Sequence, residues 1–124
     1  RVDSGGRVHA RALLSDKSVT AKGDVTIGGR AVLGHMTVRA SDSIEIPTSK
    51  SYVHIESDGS SAENLVHISK EGAKVGQMMM VYNSDEEALV MEGSGLKIPR
   101  DRSVLFVFSD RKNCWTPLTT LDAR

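Results

Sequence analysis

Two stretches of the sequence decide the fold: Gln-Met-Met-Met-Val-Tyr at residues 77–82 and Val-Leu-Phe-Val-Phe at residues 104–108. Both are short and continuously apolar, a pattern typical of strands that are covered on both faces. In an antiparallel sheet of this size, such coverage requires a second packed sheet or another copy of the chain. The sequence therefore predicts a closed sandwich or an oligomer, with Phe106 in the core.

The rest of the composition also favours strands. Val and Ile supply most of the apolar content, and side chains branched at Cβ fit a pleated sheet better than a helix. The 124 residues include 11 glycines scattered every few positions, which leaves no long, clean helical segment. We expect an all-β chain, long enough for one domain or for a stalk and a domain.

The N-terminal part carries a loose apolar repeat with a spacing of six or seven residues, formed by Val19, Val25, Val32, Val38 and Ile44. Glycines separate its members, which is typical of repetitive β-structure. The sequence predicts a β-repetitive stalk over residues 1–47, a connection at Pro47–Ser51, and a compact antiparallel β head over residues 48–124. Ordinary short hairpins are the alternative to a stalk. Because the chain begins at Arg1 without Met, we expect it to be a segment of a longer protein.

Two segments of the head need separate interpretation. Residues 52–56 and 65–68 flank the turn Ser57-Asp58-Gly59-Ser60-Ser61, which predicts a hairpin over 52–68. Residues 84–93 admit two interpretations: Ser84-Asp85-Glu86-Glu87 has the form of a helix capping box, whereas Ala88–Glu92 has the composition of a strand. Strand is favoured, because the neighbouring segments are strands.

No catalytic motif, phosphate-binding loop or metal-ligand set can be identified, so we expect no enzyme activity, no metal and no cofactor. His54 and His67 on one hairpin face are the nearest approach to a metal site, but no Cys, Asp or Glu accompanies them at ligand spacing, and surface histidines on a sheet are the favoured interpretation. Lys plus Arg and Asp plus Glu both total 16, which argues against nucleic acid as a partner. No apolar run approaches the roughly 20 residues of a membrane span, so no membrane insertion is expected.

Trp115 and Tyr82 are the best candidates for a ligand-binding surface. Exposed aromatic rings with polar neighbours stack on sugars, and Arg111, Lys112 and Asn113 adjoin Trp115. The balanced charge favours a neutral glycan over a polyanion. The alternative is that each ring closes one end of the core.

The chain resembles the distal β-structured region of tail-fibre and tail-spike proteins of phages and other viruses. The resemblance lies in Gly76-Gln77 before an apolar strand that ends at Val81-Tyr82-Asn83, and in a last strand with Trp115. Gly23-Asp24-Val25-Thr26-Ile27-Gly28-Gly29 resembles the repetitive segments that precede such heads. The consecutive methionines at 78–80 and Cys114 depart from the pattern.

This resemblance implies a homotrimer at the end of a fibre on the virion surface, in the extracellular space, which attaches to a host glycan or receptor or only caps the fibre. Two other interpretations stay open. A polymerising β-solenoid scaffold of the bactofilin type would explain the repeat, and a monomeric carbohydrate-binding β-sandwich would explain Trp115 and the apolar strands.

Overall fold

A computed structural model describes residue 5, residues 10–59 and residues 63–118. All regular elements in this part of the chain are strands, as the sequence predicts. They are β1 (His35–Arg39), β2 (Ser43–Ile46), β3 (Tyr52–Glu56), β4 (Asn64–Ile68), β5 (Met78–Asn83), β6 (Leu89–Met91), β7 (Lys97–Ile98), β8 (Arg102–Ser109) and β9 (Cys114–Pro117).

The strands form two mixed sheets, and the chain passes from one to the other in each of three successive rungs. One sheet has the order β1-β3-β5-β8-β9 and the other the order β2-β4-β6-β7. Within each sheet the first three strands are parallel and in register, so that Val53 on β3 lies opposite Val81 on β5. The antiparallel strands β7, β8 and β9 follow the last rung.

The core lies between the two sheets and is built from alternate residues of the strands. Successive side chains of a strand point to opposite faces, so in-register stacking places like side chains above one another. The innermost positions are mostly β-branched, and the fully buried apolar side chains of the described residues are Ile46, Val53, Ile55, Val66, Met79, Val81, Leu89, Ile98 and Val104. Phe106 is 3% exposed, which confirms its predicted place in the core.

A buried polar cluster fixes the corner between β5 and β6. The Asn83 side-chain amide donates hydrogen bonds of 2.9 Å to the carbonyls of both Glu87 and Ile98, and its oxygen accepts one of 2.8 Å from the Asp85 amide. Asn64 donates from Nδ2 to Asp85 Oδ2 at 2.9 Å, which ties the corner to β4. The corner therefore turns the chain into the second sheet, and β6 confirms the strand interpretation of residues 88–92.

The predicted antiparallel head is correct only in part, because β3–β5 and β4–β6 are parallel pairs. Antiparallel pairing is confined to β5–β8, β6–β7 and β8–β9, and the predicted hairpin over 52–68 is also wrong, since β3 and β4 belong to different sheets. Alternating apolar residues mark a half-buried strand of either direction, so the sequence pattern carries no information on whether the neighbour is parallel.

The chain divides into two compact units, residues 1–31 and residues 32–124. Residues 10–34 contain no strand, so Val19, Val25 and Val32 of the apolar repeat are not strand residues. Val38 and Ile44 are, and their strands β1 and β2 pair with β3 and β4. The two N-terminal strands β1 and β2 complete the first rung of the coil. The division between the two units therefore lies before β1, whereas the predicted domain boundary lies after residue 47.

We predict that Leu89→Ala destabilises the protein far more than Leu65→Ala. Leu89 on β6 is fully buried, whereas Leu65 on the neighbouring β4 points outward and is 43% exposed. Removing a buried leucine leaves a cavity and costs about 2–5 kcal/mol, against at most about 1 kcal/mol for the exposed one. Denaturant unfolding of both variants measures the difference. Equal losses would contradict the register of the four-stranded sheet.

Candidate functional site

Tyr82 lies on the outer face of the five-stranded sheet, because β5 buries its neighbours Val81 and Asn83. Its hydroxyl donates a hydrogen bond of 3.2 Å to Asp101 Oδ1, and its ring centroid lies 5.3 Å from that of His54 on β3. The hydrogen bond to Asp101 holds the pKa of Tyr82 above its ordinary value, with smaller contributions from desolvation and from the negative charge of Asp101. Tyr82 is therefore restrained on a surface that it shares with His54.

The same outer face becomes apolar toward the start of β5. Met78 lies opposite Val107, and Met80 lies opposite Leu105. Met78 is 54% exposed and the other three side chains are half-buried. We call these four residues the outer apolar face. β5 and β8 are thus apolar on both faces, as the sequence indicates, but the second sheet covers only one of them.

Trp115 points to the opposite side of this sheet. It pairs with Phe108 across β8 and β9, and the two rings meet edge to face with centroids 5.3 Å apart. The indole Nε1 donates a hydrogen bond of 2.9 Å to the Ser69 carbonyl, and the ring packs against the core. Trp115 accordingly has a fixed position at the end of the core, as the alternative interpretation of this ring proposed.

Trp115 also lines an open cavity of about 350 Å³. The cavity has an apolar floor of Val66, Ile68, Met91 and Phe106, all buried. Its remaining lining is more exposed and mostly polar, and consists of His67, Lys70, Glu92, Gly93, Ser94 and Cys114. An apolar floor with a few polar groups at the mouth is the usual composition of a small-molecule site. We call it the Trp115 cavity.

The polar groups of the Trp115 cavity carry both signs of charge. His67 Nδ1 lies 3.2 Å from Glu92 Oε2, and both side chains are about half exposed, so the pair contributes little to stability. Lys70 is exposed and has no ion pair in the part of the chain that the structure describes. The cavity mouth therefore offers a carboxylate acceptor, an ammonium donor and an imidazole within one small space.

The other predicted site residues lie away from this cavity. Arg111, Lys112 and Asn113 form the exposed turn between β8 and β9, where Asn113 has a left-handed φ of 49° that asparagine tolerates well. None of the three lines the Trp115 cavity. The predicted residues thus occupy three separate places: the outer face, the cavity and the turn.

Sequence reasoning missed Lys70, Glu92 and Ser94, and considered His67 only as a metal ligand. The common signal of these residues is position: they lie near or beyond the ends of β4 and β6, which are parallel, with Val66 opposite Met91. The predicted hairpin instead placed His67 beside His54, which belongs to the other sheet. Over the described residues, no group of three or more His, Cys, Asp or Glu side chains could hold a metal ion.

Comparison with protein-family models, with curated proteins and with solved structures gives no match for this chain. The resemblance to tail fibres therefore continues to depend on the residues quoted above. No helix long and apolar enough to cross a membrane occurs in the described part of the chain.

We predict that Asp101→Asn lowers the pKa of Tyr82. Asp101 has a positive φ of 61°, which asparagine also adopts, so the substitution removes the charge and leaves the turn intact. A raised pKa means that the protonated phenol stabilises the fold at pH values below its ordinary pKa of about 10, and that this contribution is lost as the pH rises through the raised value. Spectrophotometric titration, with Tyr82→Phe to separate Tyr82 from Tyr52, measures the shift. An unchanged titration of Tyr82 would contradict the Asp101 contact.

Proposed function

We propose that this chain is a non-enzymatic structural module that assembles as a homotrimer, closes the end of a virion fibre and attaches it to a host surface. The observation that carries the proposal is the outer apolar face. Its methionines, leucine and valine lie side by side on β5 and β8 and are left partly exposed by the chain itself. Contiguous apolar surface of this kind is typical of protein interfaces.

When copies of the chain cover this face, apolar surface is removed from water, and no further segment of the chain is needed to cover it. The face is self-complementary in chemistry, since it carries no charged side chain among its four residues. The trimeric order comes from the resemblance to tail fibres, as does the placement on the virion surface.

Residues 13–33 support assembly independently. Within a single chain the large apolar side chains of this segment are 49–95% exposed, and they are Leu13, Leu14, Val19, Val25, Ile27, Val32 and Leu33. A single copy of this segment cannot bury these residues, but several copies associated along a common axis would bury them together in a shared core. This is the arrangement expected of a fibre stalk.

The C-terminal strands support a role in closing the fibre. The three rungs are parallel, whereas β8 runs antiparallel to β5, β9 runs antiparallel to β8, and β7 runs antiparallel to β6. These antiparallel pairs end the parallel stacking of rungs, as a capping element does in repetitive proteins.

A β-solenoid scaffold of the bactofilin type is the second candidate, favoured by the parallel coil of three rungs. Such a scaffold would polymerise through unpaired strand edges. Within the described residues the edge strands are β1 and β9 in one sheet and β2 and β7 in the other. Growth by stacking of chains would join the parallel rung of β1 and β2 to strands of antiparallel pairs, so this geometry fits a filament of uniform parallel rungs less well than a capped fibre.

We predict that the wild-type chain sediments as one species at about three times its mass of 13.4 kDa. Met78→Glu places a charge on the outer apolar face and shifts the protein to monomers. Because Met78 is already half exposed, the monomer keeps its β-sheet circular dichroism. Leu65→Glu is the matched control, since Leu65 is a partly exposed apolar residue on the other sheet, and it stays trimeric.

Analytical ultracentrifugation at micromolar concentration distinguishes the candidates. A monomeric wild type would overturn the assembly proposal and favour a single-chain carbohydrate-binding sandwich. An open series of larger species would favour the scaffold.

A further inference from the structure

We propose that the Trp115 cavity binds one ring of a neutral sugar. This inference rests on the proposed attachment function, which supplies the reason for a ligand, but the site is defined by the cavity alone. The sequence placed the ligand on Trp115, Tyr82 and the 111–113 turn. The structure separates these and gives Trp115 new neighbours, of which Lys70, Glu92 and Ser94 carry the argument.

The wall of the cavity is rigid before any ligand arrives. Trp115 is restrained at its polar edge by the hydrogen bond to the Ser69 carbonyl and at its ring by Phe108. Because its N–H is already satisfied, the indole offers apolar surface to a ligand, as required for packing against the C–H groups of a sugar ring. A preformed wall also loses little conformational entropy on binding.

The volume selects the size of the ligand. About 350 Å³ is near the lower limit of the roughly 300–1,000 Å³ typical of small-molecule sites, which suits a single ring inside the cavity. Further sugar units would extend into solvent through the open mouth. We therefore expect recognition of a terminal residue of a glycan.

The polar groups select the chemistry. Glu92 accepts hydrogen bonds from hydroxyl groups, while Lys70 and Ser94 donate to hydroxyl or ring oxygens. A carboxylate on the cavity wall repels an anionic ligand, and the single ammonium of Lys70 offsets one negative charge only. An apolar wall surrounded by hydrogen-bond donors and acceptors, with one positive and one negative side chain among them, fits an uncharged polyhydroxyl ring better than a carboxylate or a phosphate.

The position of the cavity is compatible with assembly. Trp115 lies on the inner side of the five-stranded sheet, and the outer apolar face lies on its other side. Copies that cover the outer apolar face would leave the mouth of the cavity open. Binding and assembly can therefore be tested separately.

Trp115 provides the measurement, because it is the single tryptophan of the 124 residues. We expect its fluorescence to change saturably on titration of the full chain with at least one sugar of a neutral panel of glucose, galactose, mannose and N-acetylglucosamine. Glu92→Gln removes the charge of a half-exposed side chain and keeps its size. It should weaken that binding by about tenfold, the range of a hydrogen bond to a charged group. Arg111→Ala is the control and should bind as the wild type does.

Three results would overturn the inference: no saturable response to any of the four sugars, unchanged binding in Glu92→Gln, or an equal loss in Arg111→Ala. Tighter binding of sialic acid, lost in Lys70→Ala, would overturn the neutral ligand in favour of an anionic one. Sedimentation of the same samples separates the two proposals, since a trimer that binds no sugar contradicts this inference and leaves the proposed fibre assembly standing.

Discussion

Parallel, in-register stacking of the three rungs is the constraint on which the rest of the structure depends. It aligns Val53 with Val81 in one sheet and Val66 with Met91 in the other, so that the inward residues of successive rungs form continuous apolar columns. A slip of one residue would turn these side chains to solvent and bring their polar neighbours inside. The Asn83 cluster opposes such a slip, because its hydrogen bonds hold the end of β5 to the β5–β6 corner and to Ile98 on β7.

The surfaces follow from the same constraint. β5 and β8 belong to the middle of a sheet that has its partner sheet on one side only, which leaves the outer apolar face partly exposed. The parallel ends of β4 and β6 bring His67 beside Glu92 at the mouth of the Trp115 cavity, close to the strand that carries Trp115. One coil thus generates the outer apolar face and the Trp115 cavity on different sides of a sheet, and the proposed assembly and the proposed sugar binding each use one of these surfaces.

The sequence predicts the strands better than their partners. The apolar stretches 77–82 and 104–108, the core position of Phe106 and the strand at 88–92 follow from local composition and alternation, which depend only on the chain itself. Strand direction depends on distant segments, and alternation is the same in both directions, so β3 and β4 were expected to pair with each other. The site shows the same limit: Arg111, Lys112 and Asn113 adjoin Trp115 along the chain, whereas Lys70 and Glu92 reach its cavity only through the parallel register.

Nuclear Overhauser contacts across the backbone of β3 test the central claim, the parallel coil, most directly. The account predicts contacts that pair Tyr52 with Met80, Val53 with Val81 and His54 with Tyr82. In this series the residue numbers of both partners increase together, as they do only in a parallel pair. Each of these residues is separated from its partner by an entire rung, so local structure cannot produce the series. A series of opposite order between residues 52–56 and 64–68 would show a hairpin, and it would contradict the coil together with the cavity and the outer apolar face that depend on it.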